Sequence, residues 1–420
     1  MAHRLTDAPN FVIRPLVGNA EIEMFHRLSV ATFQTPSSSS LEEIALRYQR
    51  LVNEAPDFNP QQQRGAFLGD TFLGGYLIME RTMCIGPARL LTGCIADVVT
   101  LTEHRNKGIA TALLHDALRF ADEHQHTLLL LDGIPNFYHR FGFIDVLDIC
   151  KHIINSQTVL ALPQSTYQLR PATPADVPAL LTLYQHHYGS RTGSFARDLA
   201  LQEHYLRWRY QEPPLIAVNA DNVPKGYMKL IQHPQQVSAY EVAADNWHAA
   251  LALLQYHATR QTQVNAQDAD LAWFLPPDAP TADLLADHLA VRTHQYHVPN
   301  ADWMARPVHL TSLLHAMLPC WNERWQPGAQ HWFGTVELHI GNDICALVVD
   351  TNGLYLKEPP YTATHHVRLT PQVFTQLLFG YRSVSWAAQQ SGQHIPKELF
   401  PLLQALFPRG YAWINGTDAF

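Results

Sequence analysis

Residues 98–131 leave the chain few folds to choose from. Val98-Val99-Thr100 ends an apolar run that reads as a strand, and Arg105-Asn106-Lys107-Gly108-Ile109-Ala110 reads as a short loop opening a helix. Ile109, Leu113, Leu114, Ala117, Leu118 and Ala121 recur at helical spacing and make one apolar stripe, with Asp116, Glu123 and His124 expected to face water. Leu128-Leu129-Leu130-Leu131 then reads as a fully buried strand. Strand, loop, helix and buried strand form one unit of an α/β fold. The loop carries a chemical consequence. Its backbone N–H groups and the free N–H groups of the helix start converge, which makes a site for a phosphate or pyrophosphate. Arg105 and Lys107 reinforce the charge, and Gly108 lets a ligand approach the backbone. An ordinary strand–helix connection with a basic surface is the plainer alternative.

At 420 residues the chain suggests two or three domains, and with 47% apolar and 16% charged residues each can bury a core. No apolar run approaches the ~20 residues that would span a membrane. Met1 to Asp7 lack the apolar centre of a signal peptide. Cys84, Cys94, Cys150, Cys320 and Cys345 are scattered, so buried reduced thiols in a cytoplasmic protein are expected. A net charge of −8 argues against nucleic acid as a partner. The pairs His186-His187 and His365-His366 lack the helical spacing and carboxylate of a metal site, so no metal is expected.

A faint internal repeat organises the rest. Phe11-Val12-Ile13-Arg14-Pro15 is followed by Ala20-Glu21-Ile22, and Tyr167-Gln168-Leu169-Arg170-Pro171 by Ala175-Asp176-Val177. Each reads as a strand, a turn and an acidic helix start. In the second copy the counterpart of the phosphate loop is Ala243-Ala244-Asp245-Asn246-Trp247-His248, with no glycine and no cation before the helix from Trp247 to Tyr256. Asp245 would repel a pyrophosphate there. The third segment alternates as half-buried strands over Trp332 to Ile340, Ile344 to Val349 and Leu354 to Leu356, turning at Gly341-Asn342-Asp343 and Asn352-Gly353. Thr370-Pro371 starts a helix and Pro396 to Leu406 closes the fold, which gives an open sheet with helices on one side.

Arg105-x-x-Gly108-x-Ala110, followed by Tyr138-His139-Arg140-Phe141-Gly142-Phe143, resembles the GCN5-related N-acetyltransferase (GNAT) superfamily. In that superfamily the first motif holds the pyrophosphate of acetyl-coenzyme A and the second carries a tyrosine beside the reacting thiol. Two tandem GNAT copies and a sterol-carrier-like module together resemble the enhanced-intracellular-survival (Eis) family of acetyltransferases. The domains implied are a catalytic GNAT domain over 1–160, a degenerate GNAT-like domain over 161–304 and a sterol-carrier-protein-like domain over 305–420. Chains of that family end in Gly-Thr followed closely by Phe, and here the end reads Asn415-Gly416-Thr417-Asp418-Ala419-Phe420.

The resemblance implies the site residues. Tyr138 is the general acid, and the terminal carboxylate of Phe420 is the base that accepts the ammonium proton of the substrate. Backbone N–H groups of Val98, Val99 and Thr100 polarise the thioester. Arg105, Asn106, Lys107, Gly108, Ile109 and Ala110 hold the phosphates. Asp97 is the rival base, whereas Glu103 reads as a solvated loop residue. The activity implied is acetyl transfer from acetyl-coenzyme A to a primary amine by direct attack in a ternary complex. Aminoglycosides, polyamines and lysine-containing peptides are the implied acceptors, and a homo-oligomer, hexameric in that family, is the implied assembly. Pocket walls are expected from the loop Thr35 to Ser40 and from the region of Trp208. The competing reading is a non-catalytic protein that binds coenzyme A and an apolar ligand.

Overall fold

The computed structural model describes residues 11–33, 40–210, 212–265, 270–325 and 332–420. Met1 to Asp7, and Thr35 to Ser39 of the expected pocket-wall loop, lie outside these residues. The fold is mixed α/β, as expected, with mixed sheets. Among the described residues no helix is long and apolar enough to cross a membrane.

In the first sheet Val12–Pro15, Gln63–Leu68, Thr71–Ile85 and Ala88–Thr100 run antiparallel. Ala88–Thr100 then pairs parallel with Leu128–Gly133, and Asp302–Pro307 and Ile144–Asp145 complete the sheet. The second sheet repeats this succession. Gln168–Pro171, Leu215–Val218, Pro224–Gln232 and Val237–Ala244 are antiparallel. Val237–Ala244 pairs parallel with Asp270–Phe274, followed by Ile149–Asn155 and Val291–Tyr296. Parallel neighbours need a crossover, supplied by the helices Ile109–Glu123 and Trp247–Val264. Sheet membership does not follow chain order. Ile149–Asn155 follows the first sheet's strands in sequence yet lies inside the second sheet, and Asp302–Pro307 does the reverse. Each covers an otherwise open edge, where Met304 and Ala305 are fully buried against Leu131 and Leu130.

The repeat has a physical basis. Arg14 donates two hydrogen bonds to Glu21, at 2.8 and 2.7 Å, and Arg170 donates two to Asp176, at 2.7 and 2.8 Å. Each strand arginine thereby clamps the acidic residue at the following helix start, a bidentate geometry that holds strand and helix in register.

Leu113, Leu114, Ala117 and Ala121 bury the expected stripe of the helix Ile109–Glu123, and Leu128 to Leu131 are at most 1% exposed. Asp116 differs from expectation: it is buried, not solvated. It accepts from Arg64 and Arg119 and from the Tyr76 hydroxyl at 2.9 Å, so the charge is matched inside the fold. The helix starting at Trp247 runs to Val264, well past Tyr256.

The third sheet holds Gly353–Lys357, Asp343–Asp350, Gly334–Ile340 and His365–Leu369 in that order. The last strand, which the sequence pattern did not reveal, pairs parallel with Gly334–Ile340. Thr370 caps the helix Pro371–Leu378 by accepting from the Val373 N–H. The closing segment is a 3-10 turn, Lys397–Leu399, leading into the helix Phe400–Leu406. One apolar cluster joins this region to the first sheet, uniting Cys94 and Leu130 with Leu313, Trp321 and Leu377.

Candidate active site

The site originates in an interrupted ladder. Ala88–Thr100 and Leu128–Gly133 pair only from Thr92 opposite Leu128 to Ile95 opposite Leu131, and beyond that the two strands part. On its other side Ala88–Thr100 bulges: Ala96 faces Leu77 and Val99 faces Gly75, leaving Asp97 and Val98 without cross-strand partners in either ladder. Asp97 takes φ +53°, the backbone signature of the bulge. A cavity of about 840 Å³ opens where the strands separate. Leu101 donates its N–H to the Leu73 carbonyl at 2.9 Å, so strand alternation turns the Thr100 backbone groups toward the gap. Thr100 Oγ1 is also buried with no hydrogen-bond partner among the described residues.

The far wall is the start of the helix Ile109–Glu123. Gly108 occupies the cap position at φ +79°, and no side chain caps the helix. A Cβ on Gly108 would meet no protein atom within 4 Å, so within the protein itself it is the backbone angle that favours glycine here. The first intrahelical bond runs from Ala112 N–H to the Gly108 carbonyl, which leaves the N–H groups of Ile109, Ala110 and Thr111 outside the helix ladder. The second-copy helix shows the opposite. There Asn246 accepts from the Ala249 N–H, and Asp245 lies near His186, His187 and Lys225, so this helix start is capped and bears a carboxylate.

Val98, Val99, Thr100, Arg105, Asn106, Gly108, Ile109 and Ala110 all line the cavity, as do Tyr138 and Phe420. Lys107 does not line it and sits with its ammonium 3.4 Å from His104 Nδ1. Tyr138 opens the turn Tyr138–Phe141 and is 8% exposed. Its ring rests on the strand at Gly133, where a Cβ would come within 2.9 Å of Cδ2. Burial, and then the charge of Asp132, pushes its phenol up to about 12. Asp132 stands at the cavity wall, and surrounding protein and Asp302 push its carboxyl up to about 6. Phe420 lies edge-on to Trp303, ring centres 5.3 Å apart, and Arg209 donates to the Ala419 carbonyl beside it. Asp97 accepts from the Tyr48 hydroxyl at 2.6 Å, and burial raises its pKa against the opposing effect of Tyr48 and Ser29. The histidine pairs are placed elsewhere. His186 and His187 meet Asp245, and His366 meets Glu337 and His339.

Residues 13–144 match the family of acetyltransferase (GNAT) domains. This stretch is a GNAT domain. The chain is an acyltransferase. Three solved structures share the fold across nearly the whole length. A conserved protein from Enterococcus faecalis V583 has a TM-score of 0.73 and 16% identity, covering 98% of this chain and 99% of its own. A GCN5-related N-acetyltransferase from Kribbella flavida has a TM-score of 0.72 and 16% identity, covering 99% and 100%. Eis1 from Mycobacterium abscessus has a TM-score of 0.63 and 16% identity, covering 97% and 100%. No curated protein matches the chain.

Several residues around the GNAT cavity escaped sequence reasoning. Tyr48, Ser29, Asp132 and Arg209 line it, yet carry no motif. The anchor of the final segment was missed as well. Arg197, fully buried, donates to Asp418 at 3.0 and 2.7 Å and to Glu241 at 3.0 Å twice, and its guanidinium lies 3.6 Å over the Tyr184 ring. This triad ties the strand Val237–Ala244 to the segment that delivers Phe420. Asp418 looked like a spacer because the side chains that donate to it, Arg197 and Tyr184, are 221 and 234 residues away in sequence.

Proposed function

We propose that the chain moves the acetyl group of acetyl-coenzyme A to a primary amine by direct attack in a ternary complex. The observation that carries the proposal is a single cavity shared by an open helix start, a buried phenol and Phe420. Acetyl-coenzyme A fits the free N–H groups of Ile109 to Thr111 and the unpartnered Thr100 Oγ1, and it supplies the thioester carbonyl and the thiolate leaving group. Arg105, Asn106 and the turn through Gly108 hold the phosphates, with Lys107 contributing longer-range charge. The backbone of Val98, Val99 and Thr100 orients the pantetheine arm and polarises the carbonyl. The α-carboxylate of Phe420 takes a proton from the ammonium so that the neutral amine can attack.

Tyr138 keeps its proton throughout the neutral range, since burial raises its phenol. With a phenol near 12 and a thiol near ~8.5, complete proton transfer to the thiolate is uphill, so Tyr138 stabilises the thiolate by donating a hydrogen bond. We assign the body of residues 1–160 to the catalytic unit, of 161–304 to a GNAT-like unit without an anion site and of 305–420 to a sterol-carrier-like unit, with the strand Ile149–Asn155 exchanged into the second sheet and Asp302–Pro307 into the first.

Asp97 supports a second reading in which it is the base. It lines the same cavity, and burial favours its protonated form. Thiol release from acetyl-coenzyme A, measured with a panel of primary amines, tests both readings. Deleting Phe420 is expected to lower kcat by ~10²-fold with the fold intact, and Asp97→Asn to lower it much less. The opposite order transfers the role to Asp97. No turnover of the unaltered protein with any amine overturns acetyl transfer.

A further inference from the structure

We infer that a second cavity admits the acceptor and selects an amine bearing an anionic group at its far end; this rests on the acetyl-transfer reading. The cavity measures about 620 Å³ and lies between the helix Leu41–Asn53 and the second sheet. Tyr48 and Arg209 line both this cavity and the first, so the two spaces meet at that wall. Tyr48 holds Asp97 there, and Arg209 holds the Ala419 carbonyl next to Phe420. A long acceptor seated in the second cavity would therefore present one end to the carboxylates and the acyl group.

The rest of the wall decides the other end. Among the described residues, Arg47, Arg209, Lys229 and Arg260 line it, against one acid, Glu212. Among the described residues none of these four cations has a carboxylate within ion-pair distance. Arg47 is spent on the Trp208 and Tyr210 carbonyls. Arg260 gives one bond, at 3.1 Å, to Gln232, which leaves donors free. Among the described residues, Lys229 lies over the face of the Tyr210 ring, 5.2 Å away, and forms no ion pair. Burial, and then the charge of Arg209, push its ammonium down to about 7 against the opposing charges of Glu241 and Asp418, which pair with Arg197 instead. An anion of the acceptor would pair with Lys229, while a polyamine would place a further positive charge against this wall. Trp208 and Tyr256 offer apolar surface for the span between the two ends.

Three amines of equal length separate the possibilities: 6-aminohexanoate, hexylamine and 1,6-diaminohexane. Calorimetry with the full chain and coenzyme A is expected to show the acid binding about tenfold tighter than hexylamine, with the diamine weakest. Lys229→Met and Arg260→Gln should each narrow that gap, whereas Lys229→Arg, which retains the charge, should preserve the order. Equal affinities, tightest binding of the diamine, or a preference that survives both neutral substitutions overturns the inference. Thiol release read alongside keeps the two proposals apart. Preferential binding of the acid without release from any amine sinks acetyl transfer but leaves the anion pocket standing. Release at equal efficiency from all three amines sinks the pocket but leaves acetyl transfer standing.

Discussion

His257 has both ring nitrogens engaged: Nδ1 accepts from Trp273 Nε1 at 2.9 Å, and Nε2 donates to the Val237 carbonyl at 2.8 Å. The neutral ring satisfies both partners, and burial pushes its pKa down to about 4. The unfolded chain binds a proton near ~6.5, so the native state is undisturbed above that pH. Between 6.5 and 4 the unfolded state takes up a proton that the native state refuses, and stability falls as the pH falls. The loss amounts to about 3 kcal/mol below the folded pKa. Urea unfolding between pH 7 and pH 4 should show a declining midpoint, and His257→Gln should flatten the decline. At this scale the sequence exposed motif residues such as Tyr138, whose neighbours Phe141, Gly142 and Phe143 form a short local pattern. It did not expose Tyr48 or Arg209, single side chains whose roles exist only across the cavity.

Elements were legible where their cause is local. The helix Ile109–Glu123 and the loop before it follow from apolar spacing and a glycine, because a helix start is decided within a few residues. Gly108→Ala tests that local cause. With open space around the Cβ but φ +79°, alanine should cost about 1 kcal/mol in stability through backbone strain alone. It should also weaken acetyl-coenzyme A binding, since the turn aims the free N–H groups. Chemical denaturation reads the first effect and calorimetry the second; an unstrained variant with full affinity would show that the turn tolerates a side chain. The bulge at Asp97 was not legible. It depends on the register against Gly75 and Leu77, which no periodicity within 88–100 encodes. The strand His365–Leu369 was missed for the same reason, since its parallel partner Gly334–Ile340 is remote in sequence.

For the molecule as a whole, the exchange of Ile149–Asn155 and Asp302–Pro307 between sheets makes the two halves mutually dependent. The buried Arg197–Glu241–Asp418 triad binds the final segment into the same arrangement. Arg197→Met strands two buried carboxylates and should cost about 3–5 kcal/mol. Adding Glu241→Gln and Asp418→Asn removes both stranded charges, so the triple variant should regain much of that loss in urea unfolding. A triple variant no more stable than the single one would mean that Arg197 acts through packing rather than charge.

Local chemistry in the chain was enough to set the α/β class, the open helix start and the tyrosine turn, because each depends on neighbours within a few residues. Tertiary structure alone decided the parted strands, the exchanged edges, the charge of the second cavity and the seat of Phe420. Those depend on which distant backbones come together, and a linear pattern of apolar and polar residues does not encode that choice.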